Sequence, residues 1–347
     1  MRDARAVHID APETLRLAAV EPRAPGLGEA LVEVAWAGIC GSDREVLAGT
    51  RPKDFVRYPL IPGHEWSGTV VAVGELSDAS LVGRAVVGEG FRSCGRCPAC
   101  FRGDTNLCQA EYRETGFTEP GAWATYLTVP ARLLHVLPKE SDLRAAAALE
   151  PAACVAAACL KAAVVSGERV AVVGGGTLGL LATQLLRASE PSKLIVVDPH
   201  RDRGELAQQC GASEFLSPDE AQRRAGQFDV VLEAAGASDT ARLAMQLARR
   251  GGRIVLTGIP PASTGETGPS GQVHALSPTE LVLREITVLT VFGAPSRAWA
   301  HAVRAFATGV LDPSPVITHE VPLEDVAEAF RILTDPSARA VKVLLRP

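Results

Sequence analysis

Apolar and polar positions are organised differently on the two sides of residue 150. Downstream, apolar residues come in continuous runs of strand length: Arg169-Val-Ala-Val-Val173, Lys193-Leu-Ile-Val-Val197, Phe228-Asp-Val-Val-Leu-Glu233 and Arg253-Ile-Val-Leu-Thr257. Runs without polar alternation suit strands buried on both faces. Leu180 to Arg187 and Asp239 to Arg249 read as helices between them, and Gly251-Gly252 reads as the turn into the last strand. This order predicts an α/β fold with a doubly wound parallel sheet. Upstream, the strand-like pieces are short and separated by Gly and Pro: Ala30 to Trp36, Gly68 to Val73, Ala85 to Val87 and Tyr126 to Val129. They predict an irregular β-barrel. Between the halves, Ala145 to Val165 is alanine-rich and broken by Glu150, Pro151 and Lys161, so it reads as a buried helix rather than a membrane span. Pro260 to Gly271 reads as an exposed, mobile loop.

A chain of 347 residues suggests two domains. Its net charge of −5 is spread along the sequence, with no basic block that would point to nucleic acid. Met1 to Asp10 lacks the apolar core of a secretory signal. The expectation is a cytoplasmic protein with no membrane partner.

Three groups of residues carry chemistry. In the first, Gly174-Gly-Gly176-Thr177-Leu178-Gly179 lies between a strand and a helix, and the next strand ends on Asp198. That context makes G-x-G-x-x-G a dinucleotide-binding signal: Gly174 turns sharply, Gly176 admits pyrophosphate, and Gly179 lets the helix lie against the sheet. Asp198 suits the adenosine ribose of NAD and disfavours the 2′-phosphate of NADP. Arg201 and Arg203 could bind that phosphate; the reading adopted leaves them solvated or stacked near adenine. The second group is Cys94-Gly-Arg-Cys97-Pro-Ala-Cys100 followed by Cys108. Four thiolates at such gaps can close around one structural Zn²⁺, whereas the alternative of two disulfides needs an oxidising compartment. The third is scattered: Cys40, His64, Glu65 and Glu150 could make an open catalytic zinc set. Spacing alone does not establish it, since singly Cys40 reads as a buried thiol and His64 as a turn histidine. His8, His135, His200, His274, His301 and His319 read as surface or turn residues, and Cys154, Cys159 and Cys210 as packing thiols. Trp66, Phe117, Trp123 and Phe292 suit core packing or a pocket wall equally.

Gly-Ile-Cys40-Gly-Ser42-Asp43, Gly63-His64-Glu65, the four-cysteine lobe, Glu150-Pro151, the Gly174 to Gly179 loop and Asp198 occur in this order over nearly the whole chain. In that combination the chain resembles the zinc-dependent medium-chain alcohol/polyol dehydrogenases. The resemblance implies a GroES-like catalytic domain from residues 1–152 and 292–347, with a structural zinc lobe at 91–110. A Rossmann domain of residues 153–291 would be inserted between its two parts. It further implies two Zn²⁺ per chain, NAD as hydride acceptor, and a homodimer or homotetramer pairing near Ile286 to Val291. Cys40 and His64 would ligate the catalytic zinc, and Glu65 and Glu150 would share the remaining duty. Asp43 would orient His64, and Ser42 would pass the substrate proton onward. Glu45 stands where many members place a relay histidine, so Glu45 or water would serve next. Trp123 and Thr125 also depart from the common phenylalanine and glutamate. The expected substrate is a small polar alcohol or ketone, a polyol, sugar or cyclitol, and the run Gly63 to Gly68 with Gly116 to Ala122 is similar to cyclitol dehydrogenases. The alternatives are a threonine 3-dehydrogenase-like enzyme of amino alcohols and a non-catalytic nucleotide-binding relative.

Overall fold

The computed structural model describes residues 3–237, 239–259 and 276–347. The loop expected at Pro260 to Gly271, and His274, lie outside them. Two compact units emerge: Met1–Glu150 with Pro295–Ala307 and Ile317–Pro347, and Pro151–Ala294 with Thr308–Val316.

The second unit holds six parallel strands. Across the sheet they run Glu214–Leu216, Lys193–Val197, Arg169–Val173, Phe228–Glu233, Ala248–Leu256 and Thr287–Thr290. Numbered along the chain, this is the order 3-2-1-4-5-6 of dinucleotide-binding folds. The centres of the runs are apolar because helices cover them: Ala171, Val173, Ile195, Val197, Val231 and Ile254 share a core with Leu243, Ala244, Met245 and Leu247 of the helix Thr240–Leu247. The helix Thr177–Arg187 starts directly on the glycine loop and buries Leu180, Leu181, Leu185 and Leu186. Gly251-Gly252 does not separate two elements. The strand begins at Ala248, and its register jumps from Phe228↔Ala248 to Val230↔Arg253, so the glycines sit in an irregularity inside it, Gly251 at φ 67°. Thr308–Val316, expected in the catalytic tail, groups with this unit: Gln184 donates to Asp312 O and accepts from Asp312 N, both at 2.8 Å.

In the first unit the strand Glu29–Ile39 is the spine. It pairs antiparallel with Trp66–Val73, Tyr126–Pro130 and the C-terminal Lys342–Arg346. These belong to a seven-stranded sheet beside a hairpin of Arg5–Ala11 and Thr14–Ala19. Val32, Val34, Trp66, Val70, Trp123, Leu127 and Val343 fill its core. The alanine-rich stretch forms two helices, Leu143–Ala146 and Leu149–Ala162, with Pro151 in the first turn of the longer one, where its missing N–H costs nothing. Among the described residues, no helix is long and apolar enough to cross a membrane.

Candidate active site

Two groups of ligand-type side chains, among the described residues, bring their donor atoms within 4.8 Å of one another. The first is Cys40, His64 and Glu65. Cys40 follows the spine strand and caps the helix Gly41–Ala48; Asp43, one turn on, accepts from Cys40 N at 2.8 Å. His64 and Glu65 immediately precede the neighbouring strand Trp66–Val73. Gly63 reaches them at φ 98°, with no room for a Cβ, which would sit 2.3 Å from the Trp123 ring.

His64 is buried, and its Nδ1 stands 3.5 Å from Asp43 Oδ1. Burial pushes its pKa down, yet the Asp43 carboxylate and Cys40 sulfur carry it well above the ordinary histidine value. Both His64 Nδ1 and Asp43 Oδ1 are buried without a hydrogen bond. An imidazole held between a carboxylate and a thiol, under such strong pull toward a positive charge, fits a divalent cation there. Cys40, His64 and Glu65 supply the soft and hard donors that zinc accepts.

Glu65 is not free to turn. Lys342, from the last strand, donates to both its oxygens at 2.8 and 2.6 Å and to Ile39 O at 3.0 Å, with both side chains buried. Burial lowers the Lys342 pKa, but Glu65 and then Cys40 outweigh it and raise it, so the ammonium stays charged. Glu150 does not join the three clustered donors; it starts the helix Leu149–Ala162 and acts on Glu114 and Lys342 through its charge. Ser42 is half-buried in the first turn of the helix that Cys40 caps, and Glu45 lies a turn further.

Lys342, Glu114 and Arg51 join this neighbourhood without a signal in the sequence. Glu114 is buried in the loop that packs on Gly63, because a Cβ at Gly116 would lie 2.7 Å from the Gly63 carbonyl carbon. Burial drives its carboxyl up to about 7, with Glu150 and Asp43 adding to that and His64 and Arg51 opposing it. Phe117 stacks on His64 with ring centroids 4.6 Å apart. Nothing in the local pattern marks these three charged residues, since each reads as an ordinary surface charge. Trp123 and Trp66 belong to the core, Trp123 donating to Gly38 O.

The second ligand group is Cys94, Cys97, Cys100 and Cys108. None of the eight cysteines is in a disulfide. Sulfur–sulfur distances are 3.5 Å for Cys97–Cys100 and 3.9 Å for Cys94–Cys100. A disulfide needs about 2.05 Å, whereas four sulfurs at about 2.3 Å from one zinc lie about 3.8 Å apart. The N–H groups of Gln109 and Cys100 lower Cys97 to about 6, favouring the thiolate a metal needs.

In the other unit, a cavity of about 770 Å³ is lined by Gly174, Gly176, Asp198, His200, Arg203 and Arg242, among others. A Cβ on Gly179 would lie 1.8 Å from Gly174 O, so the helix rests directly on the loop, while one on Gly176 would meet no protein atom. Thr177 and Leu178 are half-buried in the first helical turn and do not line this cavity. Both Asp198 oxygens are engaged twice: Oδ1 by His200 N and Nδ1, each at 2.8 Å, and Oδ2 by Gly175 N at 2.7 Å and Arg203 at 3.1 Å. Burial raises the Asp198 pKa, but these donors outweigh it and lower it. His200, expected in a plain surface or turn role, is thus part of this pocket. His135 is likewise more than a turn residue: it bonds buried Glu89 at 3.1 Å and stacks on Trp299.

The family description "Alcohol dehydrogenase GroES-like domain" matches residues 26–139, and "Zinc-binding dehydrogenase" matches residues 177–308. An L-threonine 3-dehydrogenase of Coxiella burnetii is 30% identical over 331 residues, covering 92% of each chain. A 2-dehydro-3-deoxy-L-galactonate 5-dehydrogenase of Pseudoalteromonas atlantica is 31% identical, covering 93% of this chain and 92% of its own. A zinc-binding dehydrogenase of Sinorhizobium meliloti 1021, solved with NADP, superposes over 100% of both chains with a TM-score of 0.89 and 30% identity. With likeness running end to end in both sequence and fold, the chain belongs to the zinc-type medium-chain alcohol and polyol dehydrogenase family.

Proposed function

We propose that the protein oxidises a secondary hydroxyl of a polyol, sugar or cyclitol with NAD, and reduces the corresponding ketone. The observation that carries this reading is the three-donor cluster Cys40, His64 and Glu65, whose three ligand atoms would leave a fourth position of a tetrahedral zinc to the substrate oxygen. Cys40 and His64 would hold zinc, with Glu65 or Glu150 completing the set, and the four lobe cysteines would hold a second. Zinc bound at the first site supplies a Lewis acid that lowers the hydroxyl pKa, and NAD supplies the hydride acceptor. The chain's own residues do the rest. Asp43 faces Nδ1 of His64 and so presents its other ring nitrogen to the ligand cluster. Ser42 accepts the hydroxyl proton and passes it toward solvent, with Glu45 or water next in line. The N-terminus of the helix Thr177–Arg187, which follows the glycine loop, would receive the dinucleotide phosphates.

Asp198 binds the adenosine ribose, and for this the exposed His200 ring swings away while the backbone donors stay. NAD preference follows, because a 2′-phosphate would meet a carboxylate that Arg203 only partly offsets. Asp198→Ala should raise KM for NAD and narrow the gap to NADP; equal use of both cofactors by the unmodified enzyme would sink this assignment. The chain assembles as a homodimer or homotetramer through the edge strand Thr287–Thr290, a point that light scattering decides. A zinc held by four thiolates needs them reduced, which favours the cytoplasm. The test of substrate class is the zinc-loaded protein with NAD and a panel of polyols, cyclitols and amino alcohols. Fastest turnover of L-threonine would replace the polyol reading with that of the Coxiella relative.

A further inference from the structure

Near the candidate zinc ligands lies a charged pair, Arg51 and Glu114, that no step above uses. The Arg51 guanidinium lies 3.8 Å from the centre of the Phe117 ring, the same ring that stacks on His64. Its Nε donates to Phe55 O at 3.0 Å, and one terminal nitrogen donates to Tyr112 Oη at 3.3 Å and stands 3.7 Å from Glu114 Oε2. The other terminal nitrogen, Nη1, faces Glu45 Oε2 at 3.8 Å, beyond hydrogen-bond reach. Tyr112 also donates to Glu114 Oε2. Glu114 Oε1 makes no hydrogen bond among the described residues and lies over Gly90, where a Cβ would come within 3.2 Å of it. Arg51 and Glu114 are mostly buried, with side chains 13% and 9% exposed. A fixed donor and a fixed acceptor therefore stand next to each other, each with capacity unused, around the Phe117 ring that stacks on His64.

We propose that Arg51 and Glu114 read a second hydroxyl of the alcohol substrate and thereby select polyols over amino alcohols and hydroxy acids. A hydroxyl can donate to Glu114 and accept from Arg51 at once. An ammonium could use only Glu114 and would be pressed against a guanidinium. A carboxylate could use only Arg51 and would meet Glu114 and Glu45, two acids set against one base. In a poorly solvated site either mismatch leaves a polar group without its partner, which is costly. Stacking on Phe117 holds the guanidinium plane in place, so the subsite is built before substrate arrives.

This inference rests on the dehydrogenase reading, and the experiment separates the two. The zinc-loaded full-length protein with NAD is assayed on cyclohexanol, the three regioisomeric cyclohexanediols, and the amino and carboxylate analogues of the preferred diol. Calorimetric titration of the same compounds runs in parallel. The unmodified chain should favour one diol over cyclohexanol and over both charged analogues. Glu114→Gln and Arg51→Met should lower the diol-to-cyclohexanol ratio of kcat/KM by roughly tenfold to a hundredfold, chiefly through KM. Tyr112→Phe should act in the same direction but less. Zinc content and melting temperature check that each variant is folded and loaded. An unchanged ratio in both substitutions, or a loss shared equally by diol and cyclohexanol, overturns the proposal. If no alcohol reduces NAD, the dehydrogenase reading falls. The titration then decides the subsite alone, for it by weaker diol binding in both variants and against it by equal binding.

Discussion

At the scale of single residues, two buried charges make opposite demands on stability. Glu114, about 7 in the folded chain against 4.5 for an ordinary glutamate, keeps a proton that the unfolded chain has lost between those values. Stability therefore falls as pH rises from 4.5 to about 7 and stays lower above. At 1.36 kcal/mol per pH unit the loss is on the order of 3 kcal/mol. Glu114→Gln should match the parent in urea melts at pH 4.5 and exceed it at pH 8; equal midpoints at both pH values would refute the assignment. Function at this position would then be held at a cost in stability, a common trade at binding sites. Lys342 is the reverse case, since it neutralises Glu65 with all three of its donors engaged. Lys342→Met strands a buried carboxylate and should cost about 3–5 kcal/mol. A second substitution, Glu65→Gln, should recover part of that loss in a double-mutant cycle. Additive losses would mean the two groups do not act as a pair.

At the scale of elements, the glycine loop and the cysteine lobe depend on different physics. Gly179 lets the helix Thr177–Arg187 touch Gly174 O, and backbone cannot yield as a side-chain tip can. Gly179→Ala should cost about 1–3 kcal/mol through overpacking and weaken NADH binding, followed by nicotinamide fluorescence. Undiminished affinity would mean that helix position does not govern the phosphate site. The lobe contains only one turn of helix at Pro98–Phe101 and a 3₁₀ turn at Thr105–Leu107, and it leaves Phe101 and Leu107 exposed. With so little core it depends on cross-linking by metal. Cys97→Ser should drop zinc from two per chain to one and open residues 91–110 to protease. A variant that keeps two zincs and resists cleavage would remove the four-cysteine assignment.

For the molecule as a whole, the two units carry separate duties. His64 belongs to the first, whereas the glycine loop and Asp198 belong to the second. His64→Ala should therefore lose one zinc of two and all turnover, yet keep NADH affinity within about twofold, since the substituted side chain shares no partner with the glycine loop or Asp198. Metal analysis and NADH titration on one preparation check this. Retained turnover would take the metal out of the mechanism.

Much of this was legible in the chain by itself, because it was written in local patterns. Continuous apolar runs marked the strands Arg169–Val173, Lys193–Val197 and Phe228–Glu233, since a strand covered on both faces has no polar side to show. Cysteines separated by two intervening residues announced the lobe, and strand, glycine loop and helix announced the nucleotide site. Other features have no local signature. Lys342 meets Glu65 because the last strand pairs with the spine, Val343 opposite Ile39. Glu114 becomes a buried acid because its loop packs on Gly63, and Arg51 becomes a fixed guanidinium because Phe117 lies beneath it. Gly251 and Gly252 look like a turn until the neighbouring strand shows them within an irregular ladder. Burial and pairing between residues far apart in the chain exist only once it has folded. A charged residue acquires its environment from those partners, and for that reason tertiary structure alone decided which of the many charges stand beside the candidate metal site.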